Sequence, residues 1–133
     1  MDAYVLDTFA LMAYFQGEPR GNAVKALLAQ ALNEQVALSV SLISAGELFY
    51  VTWRKRDADR AKHVWADLQR LPISVIPVNE ARVLAAARLK ATHRVSYADA
   101  FSIALAQELD GTVITGDPEF KDVESLVPVM WLS

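Results

Sequence analysis

Short apolar segments alternate with longer helix-like segments along this chain, and that alternation restricts the possible folds more than any other feature. Segments with the composition of buried strands are residues 3–6, 36–40, 74–76 and 112–115, with a last one after Pro128. Segments with helical spacing or helix-end signals are 8–15, 22–32, 44–54, 58–70, 79–93 and 96–109. Short strands separated by helices are typical of a parallel sheet covered on both faces. We therefore predict an α/β fold whose central, mostly parallel sheet has about four to five short strands flanked by helices.

Polar residues and glycines mark several helix ends. Asn22, Asp57 and Asn79 each stand where an N-cap is expected, and the segment from Gly17 to Gly21 interrupts the first helical region. These signals predict that helices begin directly after the three capping residues.

The composition fits one domain in a reducing compartment. The 133 residues contain no repeat and no break in composition, and none is a cysteine, which excludes disulfides and thiolate chemistry. The chain starts with an acidic rather than a basic segment, and no apolar run approaches the roughly 18 residues of a membrane span. We expect a cytoplasmic protein with no membrane partner. The net charge of −3 is unfavourable for nucleic-acid binding, unless bound divalent cations reverse the sign locally.

Four acids occupy related positions in the predicted elements. Asp7 ends the first strand and Asp117 directly follows the strand 112–115, while Glu47 and Asp99 lie in the first turns of the helices that start at about 44 and 96. Strand carboxyl ends and the amino ends of the following helices share one edge of an open α/β sheet, which is where ligands bind. At least three of the four acids are therefore expected to converge.

Helix capping is a competing explanation for each acid taken alone. Ser44-Ala45-Gly46-Glu47 and Ser96-Tyr97-Ala98-Asp99 match a capping pattern, Asp117 precedes Pro118, and Asp7 precedes Thr8. A cluster, however, has a cost that isolated caps do not have, because two unit charges about 4 Å apart repel by about 4 kcal/mol at an effective dielectric constant of 20.

A hard divalent cation would compensate this repulsion. No Arg or Lys is an immediate sequence neighbour of the four acids, and magnesium and manganese prefer oxygen ligands. Zinc is disfavoured because His63 and His93 are thirty residues apart and cysteine is absent. The pattern by itself predicts a carboxylate metal site at the sheet edge.

The sequence also resembles a known family through four motifs. They are Val5-Leu6-Asp7-Thr8, Ser44-Ala45-Gly46-Glu47-Leu48, Leu89-Lys90 with Ser96-Tyr97-Ala98-Asp99-Ala100-Phe101, and Val113-Ile114-Thr115-Gly116-Asp117-Pro118-Glu119-Phe120. In this order and spacing they resemble the PIN-domain ribonucleases, and more narrowly the VapC-type toxins of bacterial and archaeal toxin–antitoxin pairs. The resemblance covers essentially the whole chain, which it implies is a single PIN-like domain spanning residues 1–133.

The resemblance implies an endoribonuclease that depends on Mg²⁺ or Mn²⁺ and cleaves RNA with a metal-activated water. It implies a catalytic and metal-binding set that consists of Asp7, Glu47, Asp99 and Asp117. The supporting hydroxyls, which would orient the acids or the water, are Thr8 and Thr115. It further implies inhibition by a cognate antitoxin protein and assembly as a homodimer.

Basic and aromatic residues outside the acid set admit two interpretations. One basic group is Arg54, Lys55 and Arg56 beside Trp53, and the other is Lys90 and Arg94 before the Asp99 helix. Each group could bind RNA phosphates, or it could simply form the solvated face of a helix. Tyr14 and Phe15 fit core packing or an antitoxin groove. The pattern leaves Glu119 and Asp122 at the periphery of the site, where either could supplement it.

Other function classes fit less well. A haloacid dehalogenase phosphatase would have an acid two residues after Asp7, where this chain has Phe9. A phospho-receiver domain would have paired acids near the first strand and a lysine after a late strand, where Thr115-Gly116-Asp117 has none. The remaining alternative is a catalytically inactive PIN-like module that binds RNA or protein.

Overall fold

A computed structural model describes all 133 residues as alternating strands and helices. The strands are β1 (Asp2–Leu6), β2 (Val36–Ser41), β3 (Ser74–Ile76), β4 (Thr112–Thr115) and β5 (Val129–Trp131). The helices are α1 (Thr8–Phe15), α2 (Gly21–Leu32), α3 (Leu42–Lys55), α4 (Ala58–Arg70), α5 (Glu80–Thr92) and α6 (Tyr97–Glu108), and a 3₁₀ helix covers Pro118–Val123. No helix is long and apolar enough to cross a membrane.

The five strands form one sheet in the order β3-β2-β1-β4-β5, and every neighbouring pair is parallel. β1 is central: Leu6 is in register with Val40 of β2 on one side and with Ile114 of β4 on the other. The predicted α/β fold with a parallel sheet is confirmed, and five strands is the upper end of the predicted number.

Both faces of the sheet are buried, which explains the continuous apolar runs in the central strands. Successive side chains of a strand point to opposite faces. Leu6 and Ile114 accordingly belong to one core cluster, whereas their neighbours Val5 and Val113 belong to a second cluster together with Phe101. Truncating such a fully buried leucine to alanine typically costs about 2–5 kcal/mol.

Two helix starts differ from the sequence prediction. α3 begins at Leu42 rather than at about Ser44, because the last residue of β2, Ser41, caps it by accepting a hydrogen bond from the Ile43 N–H at 3.2 Å. Ser44 therefore caps nothing; its hydroxyl pairs with that of Ser102 on α6 at 3.2 Å. Glu47 consequently lies in the second turn of α3, not in the first.

The start of α2 is the second difference. The helix begins at Gly21 after Arg20, without a side-chain cap, and Asn22 lies inside it. Gly21 permits this start because a Cβ there would lie 2.5 Å from the Ala13 carbonyl oxygen, so only glycine lets α1 and α2 approach this closely. The caps predicted at Asp57 and Asn79 are confirmed, with hydrogen bonds of 2.7 and 2.9 Å from the backbone two residues into each helix.

Candidate carboxylate site

Asp7 and Asp117 meet because their strands are neighbours in the sheet. Asp7 follows β1, is 1% exposed, and accepts a hydrogen bond from the Ala10 N–H at 2.8 Å as the N-cap of α1. Asp117 follows β4 and caps the 3₁₀ helix by accepting from the Glu119 N–H at 3.0 Å. The capping interpretation is thus correct for both residues, and it fixes both carboxylates at the same carboxyl edge of the sheet.

The other acids arrive from two helices and from the 3₁₀ turn. Asp99 lies in the first turn of α6, where its N–H donates to the Ser96 hydroxyl at 3.2 Å as the capping pattern predicts. Carboxylate oxygens of Asp99, Asp117 and Glu119 lie within 4.8 Å of one another. Glu119 therefore belongs to the cluster, although the sequence pattern leaves it at the periphery. Its proximity results from the tight 3₁₀ turn, which brings it back over Asp117.

All four predicted acids line a single cavity of about 540 Å³. α3 contributes Glu47, Val51 and Lys55 to its wall, a spacing of four residues that places them on one helix face. Thr8 also lines the cavity, whereas Thr115 is fully buried beneath it. The cavity is therefore acidic at the sheet edge and has a lysine at the far end of the α3 face.

Burial and like charges raise the pKa values of two acids. The pKa of Asp7 rises from its ordinary 3.8 to about 7, mainly because burial removes water, while the Thr115 hydroxyl and the Ala10 N–H oppose the shift. Burial also raises the pKa of Asp99 to about 6, with further contributions from the charges of Asp117 and Glu47. The three ion pairs of the structure involve none of these acids.

The donors of the cavity fit a hard divalent cation. They are carboxylate oxygens, with hydroxyls beside them, and the cavity wall contains no histidine. Such oxygen sets suit magnesium or manganese rather than zinc. A cation would also remove the electrostatic cost that the raised pKa values of Asp7 and Asp99 record.

The two predicted hydroxyls contact the site differently. The Thr115 hydroxyl accepts a hydrogen bond from the Asp117 N–H at 3.0 Å and lies beside Asp7, so it joins the ends of the two central strands. The Thr8 hydroxyl donates to the Ser44 carbonyl at 3.5 Å and so connects α1 to α3 without contacting an acid.

The basic residues predicted from the sequence separate into distinct groups. Lys55 lines the acidic cavity, whereas the guanidinium of Arg54 lies 5.2 Å from the centre of the Tyr50 ring, outside it. The Lys90 ammonium donates to the Val95 carbonyl at 2.9 Å and so fastens the loop before α6. Arg94 is exposed in that loop and is not part of the cavity wall.

One cation beside the acids has no signal in the sequence. Arg20 lines the cavity, pairs with Glu18 at 3.2 Å, and lies 4.7 Å from the centre of the Phe9 ring. Phe9 in turn covers Gly116, where a Cβ would come within 2.3 Å of the ring. Arg20 is remote in sequence from the four predicted acids, so only the folded chain shows that it is near them.

The aromatic pair at the end of α1 packs into the protein. Tyr14 and Phe15 are half-buried, contact each other edge to face at 5.1 Å, and pack against the larger core cluster. Both side chains thus pack partly into the core, and Phe15 also lines a surface groove.

Comparison with proteins of known structure shows the same fold. A chain in the complex of VapBC2 from Rickettsia felis with a promoter DNA fragment is 15% identical, covers 98% of this chain and 99% of its own, and has a TM-score of 0.77. DNA-bound VapBC from Salmonella typhimurium matches with 15% identity, full coverage of both chains and a TM-score of 0.77. VapC20 from Mycobacterium tuberculosis, a sarcin–ricin loop cleaving toxin, is 19% identical over 90% of this chain and 94% of its own, with a TM-score of 0.74.

Sequence comparison assigns the family. No curated protein sequence matches this chain significantly. The family model of the PIN domain, however, matches residues 4–126, a span that contains every acid of the cavity. The chain belongs to the PIN domain family.

Proposed function

We propose that this protein is a metal-dependent endoribonuclease and the toxin of a type II toxin–antitoxin module. The observation that carries the proposal is the unpaired acid cluster: Asp99, Asp117 and Glu119 lie within 4.8 Å of one another beside buried Asp7. Membership of the PIN family and the similar VapC and VapBC folds support it.

The acids would hold Mg²⁺ or Mn²⁺, with Asp7, Asp99 and Asp117 as the central ligands and Glu47 and Glu119 beside them. When bound, such an ion lowers the pKa of a coordinated water and stabilises negative charge on phosphate oxygens. Attack by such a water needs no side-chain nucleophile, which suits a chain without cysteine, and the expected products carry a 5′-phosphate and a 3′-hydroxyl.

The protein's own contribution is the fixed position of the acids. The hydrogen bond from the Ala10 N–H holds Asp7, and the Thr115 hydroxyl holds the backbone of Asp117. Lys90 and the Ser96 cap fix the start of α6 and therefore the position of Asp99. Positioning of this kind removes the need to reorganise the site during reaction.

The proposal includes two protein partners and a location. A cognate antitoxin is supported by the similar chains found in VapBC complexes. A homodimer and a cytoplasmic location follow from the resemblance to VapC-type toxins. Light scattering of the purified protein, alone and co-expressed with the product of a small adjacent reading frame, tests both associations.

The decisive experiment is cleavage of end-labelled structured RNA with Mg²⁺ or Mn²⁺, with and without EDTA. We expect cleavage by the wild type and none by Asp7→Asn or Asp99→Asn, which keep the shape of the side chain and, at Asp7, the oxygen that caps α1. Asp122→Asn is the matched control, because Asp122 is exposed on the same 3₁₀ helix as Glu119 but outside the cluster. Equal cleavage by all four proteins would contradict the assignment, and folded protein without cleavage or metal binding would favour the inactive binding module.

A further inference from the structure

A second groove adjoins the acidic cavity, and its charge is opposite. It encloses about 350 Å³ and shares Met12, Gln16 and Lys55 with the acidic cavity, so the two are continuous. Faces of three helices form it. Its complete wall is Met12, Phe15 and Gln16 of α1, Thr52 and Lys55 of α3, Arg56 after α3, and Arg60 and Val64 of α4. Three of these residues are cations and none is an acid.

The turn between α3 and α4 brings the three cations together. The Arg56 N–H donates to the Thr52 carbonyl at 2.9 Å to end α3, and the Asp57 side chain accepts from the Arg60 N–H at 2.7 Å to begin α4. This tight connection sets Arg60 beside Lys55 and Arg56. The guanidinium of Arg60 is directed toward α1, where it donates to the Phe15 carbonyl at 3.5 Å.

These cations have no anionic partner within the protein. The ion pairs of the structure involve Arg20, Arg70 and Arg82, not Lys55, Arg56 or Arg60. Three unpaired positive charges in one groove of a chain with a net charge of −3 mark a site for an external anion. The remaining wall is partly apolar, through Met12, Phe15 and Val64.

We propose that this groove binds the phosphates of the single-stranded RNA segment next to the scissile bond, an inference that rests on the proposed endoribonuclease function. Phosphate oxygens match the lysine and the two arginines, and the apolar wall matches the sugar and base of a nucleotide. Because Lys55 lies on the boundary, one strand can pass from the groove into the acidic cavity.

The continuity of the two regions favours RNA over an acidic peptide. Metal ions, if held by the acids as proposed, would attract further phosphates, so a polyanion with phosphates along its length would gain binding energy at both regions. An acidic peptide would need carboxylates placed at both regions, whereas the phosphates of an RNA strand recur at every nucleotide. The groove also accounts for how a chain with negative net charge attracts RNA: the positive charge is local.

The test is the salt dependence of RNA binding, measured in the non-cleaving Asp7→Asn background so that cleavage is not needed. Fluorescence anisotropy of a labelled single-stranded RNA in Mg²⁺ gives log Kd against log salt concentration. Each phosphate contact contributes about 0.7 to the slope for a single strand. Lys55→Gln, Arg56→Gln and Arg60→Gln are each expected to reduce the slope by about 0.7 and to weaken binding several-fold.

Lys62→Gln is the matched control, because Lys62 is exposed on α4 two residues from Arg60 and lies outside the groove. It is expected to leave the slope unchanged. Arg60→Lys keeps the charge and should retain the slope. Lys55 and Arg56 are exposed and make no hydrogen bond through their side chains, so their variants test the groove even if Arg60→Gln unfolds.

The outcomes separate this proposal from the nuclease function. If all three variants have the same slope as the control, or if the protein binds no RNA, the proposal that the groove binds RNA phosphates is wrong. A third outcome would identify a protein-binding site instead. An aspartate-rich peptide would bind the wild type but not the three variants, while the salt dependence of RNA binding would be unchanged in the variants. Reduced slopes together with an inert wild type would refute cleavage and leave RNA binding by the groove established.

Discussion

The two ends of helix α6 carry carboxylates with opposite environments. At its end, Glu108 accepts two hydrogen bonds from Arg82, at 3.1 and 3.0 Å, and this pairing lowers the pKa of Glu108. At its beginning, Asp99 faces other acids and has no ion-pair partner, and burial raises its pKa to about 6. The chain thus neutralises an exposed acid of this helix with an arginine and leaves a more buried one among like charges.

The difference shows that the acid cluster lowers the stability of the folded protein. An arginine paired with Asp99 would stabilise the site as Arg82 stabilises Glu108, yet none of the ion pairs of the structure reaches Asp99, and Arg20 in the same cavity pairs with Glu18 instead. The four predictions that follow compare these two ends of α6 and the acids that share the cavity with Asp99.

The largest difference is expected in catalysis. Asp99→Asn should reduce RNA cleavage by more than about 100-fold, since loss even of residues that only support metal ligands typically costs 10–100-fold. Glu108→Gln, on the same helix, should change the rate less than about twofold because its partner Arg82 lies away from the acidic cavity. Single-turnover kinetics with labelled RNA measures both. Comparable losses would show that α6 matters for structure rather than for its first acid.

The next largest effect is on the stability of the metal-free protein. The folded-state pKa of Asp7, about 7, exceeds its ordinary value of 3.8, so Asp7 contributes stability that is complete below pH 4 and lost as the pH rises to 7. The total loss is about 4 kcal/mol, from about three pKa units. Asp7→Asn cannot ionise and should therefore be more stable than the wild type at pH 8, with a difference that shrinks toward pH 4.

Urea denaturation in EDTA at several pH values measures this difference. A difference between wild type and Asp7→Asn that does not change between pH 4 and pH 8, or an Asp7→Asn variant that is less stable at pH 8, would refute the raised pKa. The matched control is Asp59→Asn, because Asp59 is exposed in the first turn of α4 and lies outside the cavity.

A smaller effect is expected from metal ions. At a concentration 100 times its Kd, Mg²⁺ or Mn²⁺ should stabilise the wild type by about 2.7 kcal/mol. The gain should disappear in Asp117→Asn and persist in Glu108→Gln, and it should weaken below pH 7 because binding must displace the proton of Asp7. Thermal unfolding with and without metal measures it. An equal gain in Asp117→Asn would place the ion elsewhere.

The smallest effect is expected at the paired end of α6. Arg82→Ala removes an exposed ion pair and its hydrogen bond to the Pro77 carbonyl, so the melting temperature should fall only slightly, and less at high salt. Cleavage should not change. A large fall would show that Arg82 is essential for joining α5 to α6.

The sequence predicts the elements of this fold better than their arrangement. The strand segments around Val5, Val40 and Val113 are recognisable because a two-sided parallel sheet needs continuous apolar runs. The edge shared by Asp7 and Asp117 follows from strand polarity. That β1 lies next to β4 does not, since many strand orders are compatible with the same alternation.

The residues that the sequence does not predict depend on geometry between elements. Glu119 joins the cluster through a 3₁₀ turn that has no periodic signature. Arg60 reaches the cationic groove because a cap at Asp57 turns α4 back on α3. Ser41 displaces Ser44 as the cap because the strand continues one residue further than its apolar composition suggests.

The helix caps at Asp7 and Asp117 have a consequence for cation selection. One oxygen of each carboxylate already accepts a backbone hydrogen bond, from Ala10 at 2.8 Å and from Glu119 at 3.0 Å. An ion bound by these acids would then be favoured to take one oxygen from each, because the capping oxygen is already engaged and held in place by the backbone. Such monodentate ligands suit the small octahedral shell of Mg²⁺, whereas the larger Ca²⁺ readily takes bidentate carboxylates. If these two acids bind a cation as proposed, their caps would favour Mg²⁺ over Ca²⁺ through the number of oxygens that each acid offers.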